Sequence, residues 1–165
     1  MSTTNDKFDW RRQRVERERT HEPLVARLCS SKGAGKPLFA FNKDLMVFAA
    51  MVGHSLNKRT PLKGDVIQII LDTYATDQKD AFIYLIALME EKNATILKDK
   101  NLADAIKIFE EYCNAGLYEI TLWIDENPSD HEGIDTLYRK IFDKIVENEK
   151  NQNAKLSNES IDVQF

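Results

Sequence analysis

Apolar residues recur along this chain at helical spacing in six places. The best-defined early stripe is Leu45, Phe48, Ala49, Val52 and Leu56, which fall at i, i+3, i+4, i+7 and i+11 and so lie on one helical face. Asn42 is placed to cap this helix, and Asp44 lies in its first turn, where an acid favours the helix dipole. Gly53 weakens its end. Asp77 caps a second strong segment, in which Ala81, Phe82, Leu85, Leu88 and Met89 form a stripe. Asn101 to Cys113 follows, with Leu102, Ala105, Ile106, Phe109, Tyr112 and Cys113 on one side. Gly116 reads as a break, and a further helix runs from about Leu117 to Glu126 with Leu117, Ile120, Trp123 and Ile124 as its apolar positions. Pro128 enforces the next break. The last and cleanest stripe is Ile134, Leu137, Tyr138, Ile141, Phe142 and Ile145. Each stripe reads as core, since a short helix is marginal in water until it packs.

Between these segments the pattern is weaker. Met1 to Lys7 is expected to be disordered. Phe8 to Glu22 is dense in charge, and the pairs Arg12–Glu16 and Arg14–Glu18 at i, i+4 support a marginal helix. Phe8, Trp10 and Val15 are its only apolar handles. Pro23 suits the first turn of a helix whose apolar face is Leu24, Val25 and Leu28. Lys32 to Pro37 is a loop by its Gly and Pro content, and Asn57 to Gly64 is a basic loop. Val66 to Leu71 is a short β-branched run that fits an edge strand or a helical turn, and periodicity does not decide between them. From Glu147 onward the chain is Asn-rich and polar, and a loose tail is expected. The pattern predicts a mainly α fold, a compact bundle of about six helices with room for one short β pair near Val66–Leu71. It divides the chain into a charged, partly disordered arm (1–22), a helical domain (23–146) and a polar disordered tail (147–165).

Composition narrows the class. The chain has 165 residues, 42% apolar and 30% charged, as expected of one globular domain. No apolar run approaches the roughly 18 residues that a membrane span needs. Met1 to Glu22 lacks the apolar core of a secretory signal, so a cytoplasmic location is expected. Two cysteines, Cys29 and Cys113, make neither a disulfide framework nor a metal cluster. The formal charge of −4 conceals a split. Residues 1–64 carry 13 Lys and Arg against 6 Asp and Glu, while residues 65–165 carry 10 against 21. Either the two halves face each other in one fold, or the basic half meets a polyanion or an acidic partner.

Candidate chemistry is sparse. Ser30 to Pro37 is the closest approach to a phosphate loop, but Ser30 stands where the first glycine is needed and Pro37 replaces the hydroxyl that would hold magnesium. His21, His54 and His131 have no second ligand at metal-binding spacing. Cys113 lies on an apolar stripe, and no base is visible beside Cys29. The acidic pairs Glu90–Glu91, Glu110–Glu111 and Asp125–Glu126 point about 100° apart on a helix and do not converge as an acid and a base would. No catalytic residue, cofactor site or metal site is identified, and a non-enzyme is expected. One constellation remains, and it is basic. It comprises Arg11, Arg12, Arg14, Arg17 and Arg19 in the arm, Lys32 and Lys36 in the first loop, and Lys58, Arg59 and Lys63 in the second. Such groups can follow a phosphate backbone or dock on an acidic protein surface.

Two stretches carry a family resemblance. One is Phe41-Asn42-Lys43-Asp44-Leu45-Met46-Val47-Phe48-Ala49-Ala50-Met51-Val52-Gly53, followed by Lys58-Arg59-Thr60-Pro61-Leu62. The other is Ile108-Phe109-Glu110-Glu111-Tyr112-Cys113-Asn114-Ala115-Gly116-Leu117. Together they resemble the bacterial DNA phosphorothioation-associated (Dnd system-associated) protein 4 family, over roughly residues 20–146. Cys113 and Ala115 depart from the Ala and Gly of that pattern. The resemblance implies an accessory role beside systems that place sulfur in the DNA backbone or restrict unmodified DNA in defence against phage. It implies larger protein components of such a system as partners, with duplex DNA as a further candidate, and it brings no catalytic residue. It leaves homo-oligomerisation open. The alternatives are a stand-alone DNA-binding regulator using the basic arm and loops, and an enzyme with an unrecognised site.

Overall fold

The structure is a computed structural model that describes residues 9–30 and 36–159. Expectations for Met1 to Phe8, for Ser31 to Gly35 and for the last six residues lie outside the described residues. Among the described residues, six α-helices and one two-stranded antiparallel sheet make a mainly α fold, as the pattern predicts. The chain divides into two compact units, one up to Thr121 and one from Leu122.

In the first unit the chain enters through a 3-10 turn at Trp10–Arg12 and runs into strand β1 (Arg14–Glu18). This corrects the marginal helix expected over the arm. β1 pairs with β2 (Val66–Ile70), Arg14 opposite Ile70 and Glu18 opposite Val66. The i, i+4 ion pairs of a helix are thereby replaced by a strand that buries Val15, Arg17 and Glu18. β2 resolves the ambiguity of Val66–Leu71 in favour of a strand, and helix α3 (Leu71–Ala75) begins where it stops. α1 spans Glu22–Cys29, with Pro23 in its first turn and Leu24 and Leu28 buried.

Helix α2 (Asn42–Ser55) starts one residue earlier than expected. Asp44 accepts the Phe41 N–H at 3.3 Å, so Phe41 is the cap. Asn42, released from capping, accepts from Arg17 Nε at 3.2 Å. Near the start of the helix, buried Lys43 donates to the Thr73 carbonyl at 2.7 Å and pairs with Asp77 at 2.9 Å. Asp77 therefore ties α2 to the start of α4 (Asp80–Glu91) instead of capping it. The buried face of α4 is Ile83, Ile86 and Ala87. Leu85 and Met89 of the expected stripe are about half exposed. α4 is apolar almost all round, so periodicity alone selects no face.

The spine of this unit is α5, one helix over Leu102–Asp125. Gly116 does not break it. A Cβ at Gly116 would collide with the Ala49 carbonyl oxygen, and one at Gly53 would collide with the Tyr112 carbonyl oxygen. Both glycines are where α2 and α5 cross in backbone contact, which their lack of a side chain permits. Ala49 and Ala50 are fully buried beside them. Tyr74, Phe109, Tyr112, Leu45 and Met46 fill the remaining core, with the Tyr74 hydroxyl 3.2 Å from Met46 Sδ.

The second unit carries the end of α5, a turn in which Asp130 accepts from Gly133 N (3.0 Å) and from Thr136 N and Oγ1 (2.8 and 2.7 Å), and helix α6 (Ile134–Glu159). α6 continues through the segment expected as a polar tail from Glu147. Of its apolar stripe only Leu137 is buried, and the other five members are exposed.

Candidate functional site

The basic constellation does not gather into one free surface. Arg17 is 2% exposed; its guanidinium pairs with Glu22 and bonds Asn42 and the Glu18 carbonyl. Arg14 donates to Gln68 across the sheet at 2.6 Å. Arg11 pairs with Asp72 at 3.5 Å, and Arg12 with Asp9 at 3.2 Å. Lys58 meets Glu119 at 2.8 Å. Arg59 bonds Glu90 at 2.7 Å and Glu111 at 2.6 and 3.0 Å, and lies over the Tyr112 ring. Arg19, Lys36 and Lys63 are exposed, and Lys32 lies outside the described residues. Arg19 and Lys63 line a shallow depression of about 330 Å³ together with Glu18, Thr20 and Asp65. The charge split therefore resolves in part by folding: Arg11, Lys43, Lys58 and Arg59 of the basic half each meet an acid of the acidic half.

A polar cluster that sequence reasoning missed lies under the second basic loop. It joins Glu18 of β1, His21 just before α1, and Asn114 and Tyr118 of α5. The Asn114 amide donates to Glu18 Oε1 at 3.0 Å and to the Thr60 and Pro61 carbonyls at 3.2 and 3.4 Å. That orientation turns its carbonyl oxygen to His21 Nε2, 2.8 Å away, and so assigns the imidazole proton to Nε2. Tyr118 donates to Glu18 Oε2 at 2.8 Å and meets the His21 ring edge-on at 4.6 Å. The Lys63 N–H completes the carboxylate's shell at 2.7 Å. Glu18, His21 and Asn114 are each at most 5% exposed.

Titration in this cluster follows its geometry. Burial works to raise the Glu18 pKa, but hydrogen bonds from Tyr118, the Lys63 amide and Asn114 outweigh it and hold the carboxyl below its ordinary value. Burial lowers the His21 pKa, against the opposing pull of Asn114 and Glu18. The cluster thus holds an ionised acid whose two oxygens face donors, and a neutral imidazole whose Nε2 faces the Asn114 amide oxygen. On the other side of β1, burial pushes the Glu110 carboxyl up to about 7 while it accepts the Glu16 N–H at 2.6 Å. Burial also drives both thiols away from reactivity: Cys29 is pushed up to about 11, and fully buried Cys113 further still.

The sequence signal for this cluster was present in one place. Asn114 is an amide inside a run of apolar positions on α5, and a buried amide must find partners. Glu18 and His21 read only as parts of a charged arm. The two stretches that carry the family resemblance meet here: Ala49 and Gly53 against Tyr112 and Gly116, Arg59 against Glu111, and the Thr60 and Pro61 carbonyls against Asn114. Among the described residues, no three His, Cys, Asp or Glu side chains converge as metal ligands would. Among the same residues, no helix is long and apolar enough to cross a membrane.

The family model of DNA sulphur modification system-associated protein 4 matches residues 14–158. This protein belongs to that family. The match begins at the first residue of β1 and reaches the last turn of α6, so it takes in more at both ends than the resemblance in the motifs alone. No curated protein and no solved structure shows a significant match to the chain.

Proposed function

We propose that this protein is a non-catalytic accessory and interaction component of a bacterial DNA phosphorothioation-linked modification or restriction system, acting in the cytoplasm beside larger protein components in defence against phage. Membership of a family associated with a DNA sulphur modification system carries this reading. The saturation of the polar cluster supports its non-catalytic part. Every carboxylate oxygen of Glu18 and the Nε2 of His21 already faces a protein partner, whereas a general acid or base must reach a substrate. Expressed at native level with an affinity tag, the protein is expected to co-purify with a larger partner encoded by the same system. Recovery only as a lone chain from a host carrying the intact system would overturn the reading.

A second reading, direct duplex DNA binding, has weaker support. Arg11, Arg12, Arg14, Lys58 and Arg59 are exposed but engaged within the chain, so Arg19, Lys36 and Lys63 are the exposed cations of the set to test first. A DNA binder of this kind loses affinity steeply with salt. It would also weaken several-fold in the triple variant Arg19→Ala, Lys36→Ala, Lys63→Ala. Absence of any mobility shift on duplex DNA at low salt disposes of it.

A further inference from the structure

α6 carries an exposed apolar stripe in the second unit. Ile134, Tyr138, Ile141, Phe142 and Ile145 are 41–68% exposed, and Tyr138 and Phe142 stack on each other at 6.3 Å. A contiguous apolar face of this kind marks an interaction surface. Its spacing says what fits it. Ile134, Tyr138, Ile141 and Ile145 follow one another at four, three and four residues, and the same rhythm continues through Asn148 and Gln152. With Leu137 and Phe142 beside them these positions form a broad apolar face, and the four-three-four line along it is the one that a partner helix in a two-stranded coiled coil follows.

We propose that this face pairs with the same face of a second copy, as a parallel two-stranded coiled coil over Ile134 to Gln152. Flanking charge selects the direction. Lys144 precedes a seam position and Glu149 follows one, five residues on. In a parallel pair these two positions meet across the interface, so each Lys144 faces a Glu149 on both sides of the seam. In an antiparallel pair like positions face each other, which sets Lys144 against lysine and Glu149 against the acidic Asp135. The present Lys144–Glu147 contact, at 3.5 Å on the surface, is weak enough to be exchanged. The seam is short, so the dimer is concentration-dependent.

Sedimentation velocity of the full chain across the micromolar range tests this. The protein is expected to shift from monomer to dimer mass as concentration rises, and Ile141→Asp with Ile145→Asp is expected to remain monomeric at every concentration. Both positions are exposed, so helical circular dichroism should hold in that variant. A wild-type chain that stays monomeric at the highest concentration overturns the proposal and leaves the face to a different protein. So does a dimer that survives the double aspartate. Lys144→Glu alone should raise the dissociation constant roughly fivefold, the value of two exposed ion pairs, and adding Glu149→Lys should restore it. Failure of that rescue overturns the parallel register. Asn148→Cys should form an intermolecular disulfide on mild oxidation, and a dimer that does not cross-link there likewise rejects it.

Discussion

Helices α5 and α6 are close in length, at 24 and 26 residues, and both show apolar stripes at helical spacing. Their fates differ. α5 buries residues on nearly every side, including the polar Glu111 and Asn114. α6 buries only Leu137 and Thr136 and leaves the rest of its stripe in water. What separates them is the small residues. α5 carries Ala105, Cys113, Ala115 and Gly116, all buried, and at Gly116 its backbone touches that of α2. The seam of α6 is uniformly bulky up to Ile145. A helix that must be surrounded needs places where neighbours come close, and one that meets a single partner along one edge does not.

The strongest way to break this contrast is at the crossing. Gly116→Val should destabilise the protein by about 3 kcal/mol or more, because the new atoms meet backbone that cannot move aside. Urea titration reads this directly, and Gly53→Ala should act in the same direction. Asn114→Ala comes next. It leaves Glu18 and His21 each short of a partner in a buried setting, at a cost of about 2–3 kcal/mol. Nothing comparable is expected on α6: Phe142→Ala should change the unfolding free energy of the monomer by no more than about 0.5 kcal/mol. A large loss at Phe142 in dilute solution would mean that the stripe is core after all.

Glu110 sharpens the comparison through pH. Its carboxyl titrates at about 7 in the fold, against an ordinary value of 4.5. Between those two values the folded chain holds a proton that the unfolded chain has released. Stability from this group therefore falls as pH rises from about 4.5 to 7, the reverse of a salt-bridged carboxylate. Glu110→Gln should flatten that part of the stability profile measured by thermal melts.

Much of the helical layout was legible because apolar periodicity is a local signal. The stripes of α2 and of both halves of α5 fall where the spacing puts them. Three features escaped it, each for a physical reason. Gly116 read as a break because a glycine that permits close packing and one that ends a helix are the same residue in sequence. β1 read as a helix because its charge spacing suits i, i+4 pairs, whereas its strand is fixed by pairing with residues 48 to 56 positions away. The polar cluster escaped because Glu18 and Asn114 are 96 residues apart and no local pattern joins them. The stripe of α6 was found correctly, but periodicity reports that a face is apolar and is silent on whether its cover lies in the same chain.

The hydrogen bonds of Glu18 also bear on how the protein assembles. The strand that carries it precedes its partners Asn114 and Tyr118 by 96 and 100 residues. Until they emerge, the carboxylate has no buried site to enter and β1 has little reason to leave solvent. Closing loops of that span is a slow step in folding. β1 is thereby expected to complete its docking only once α5 is in place.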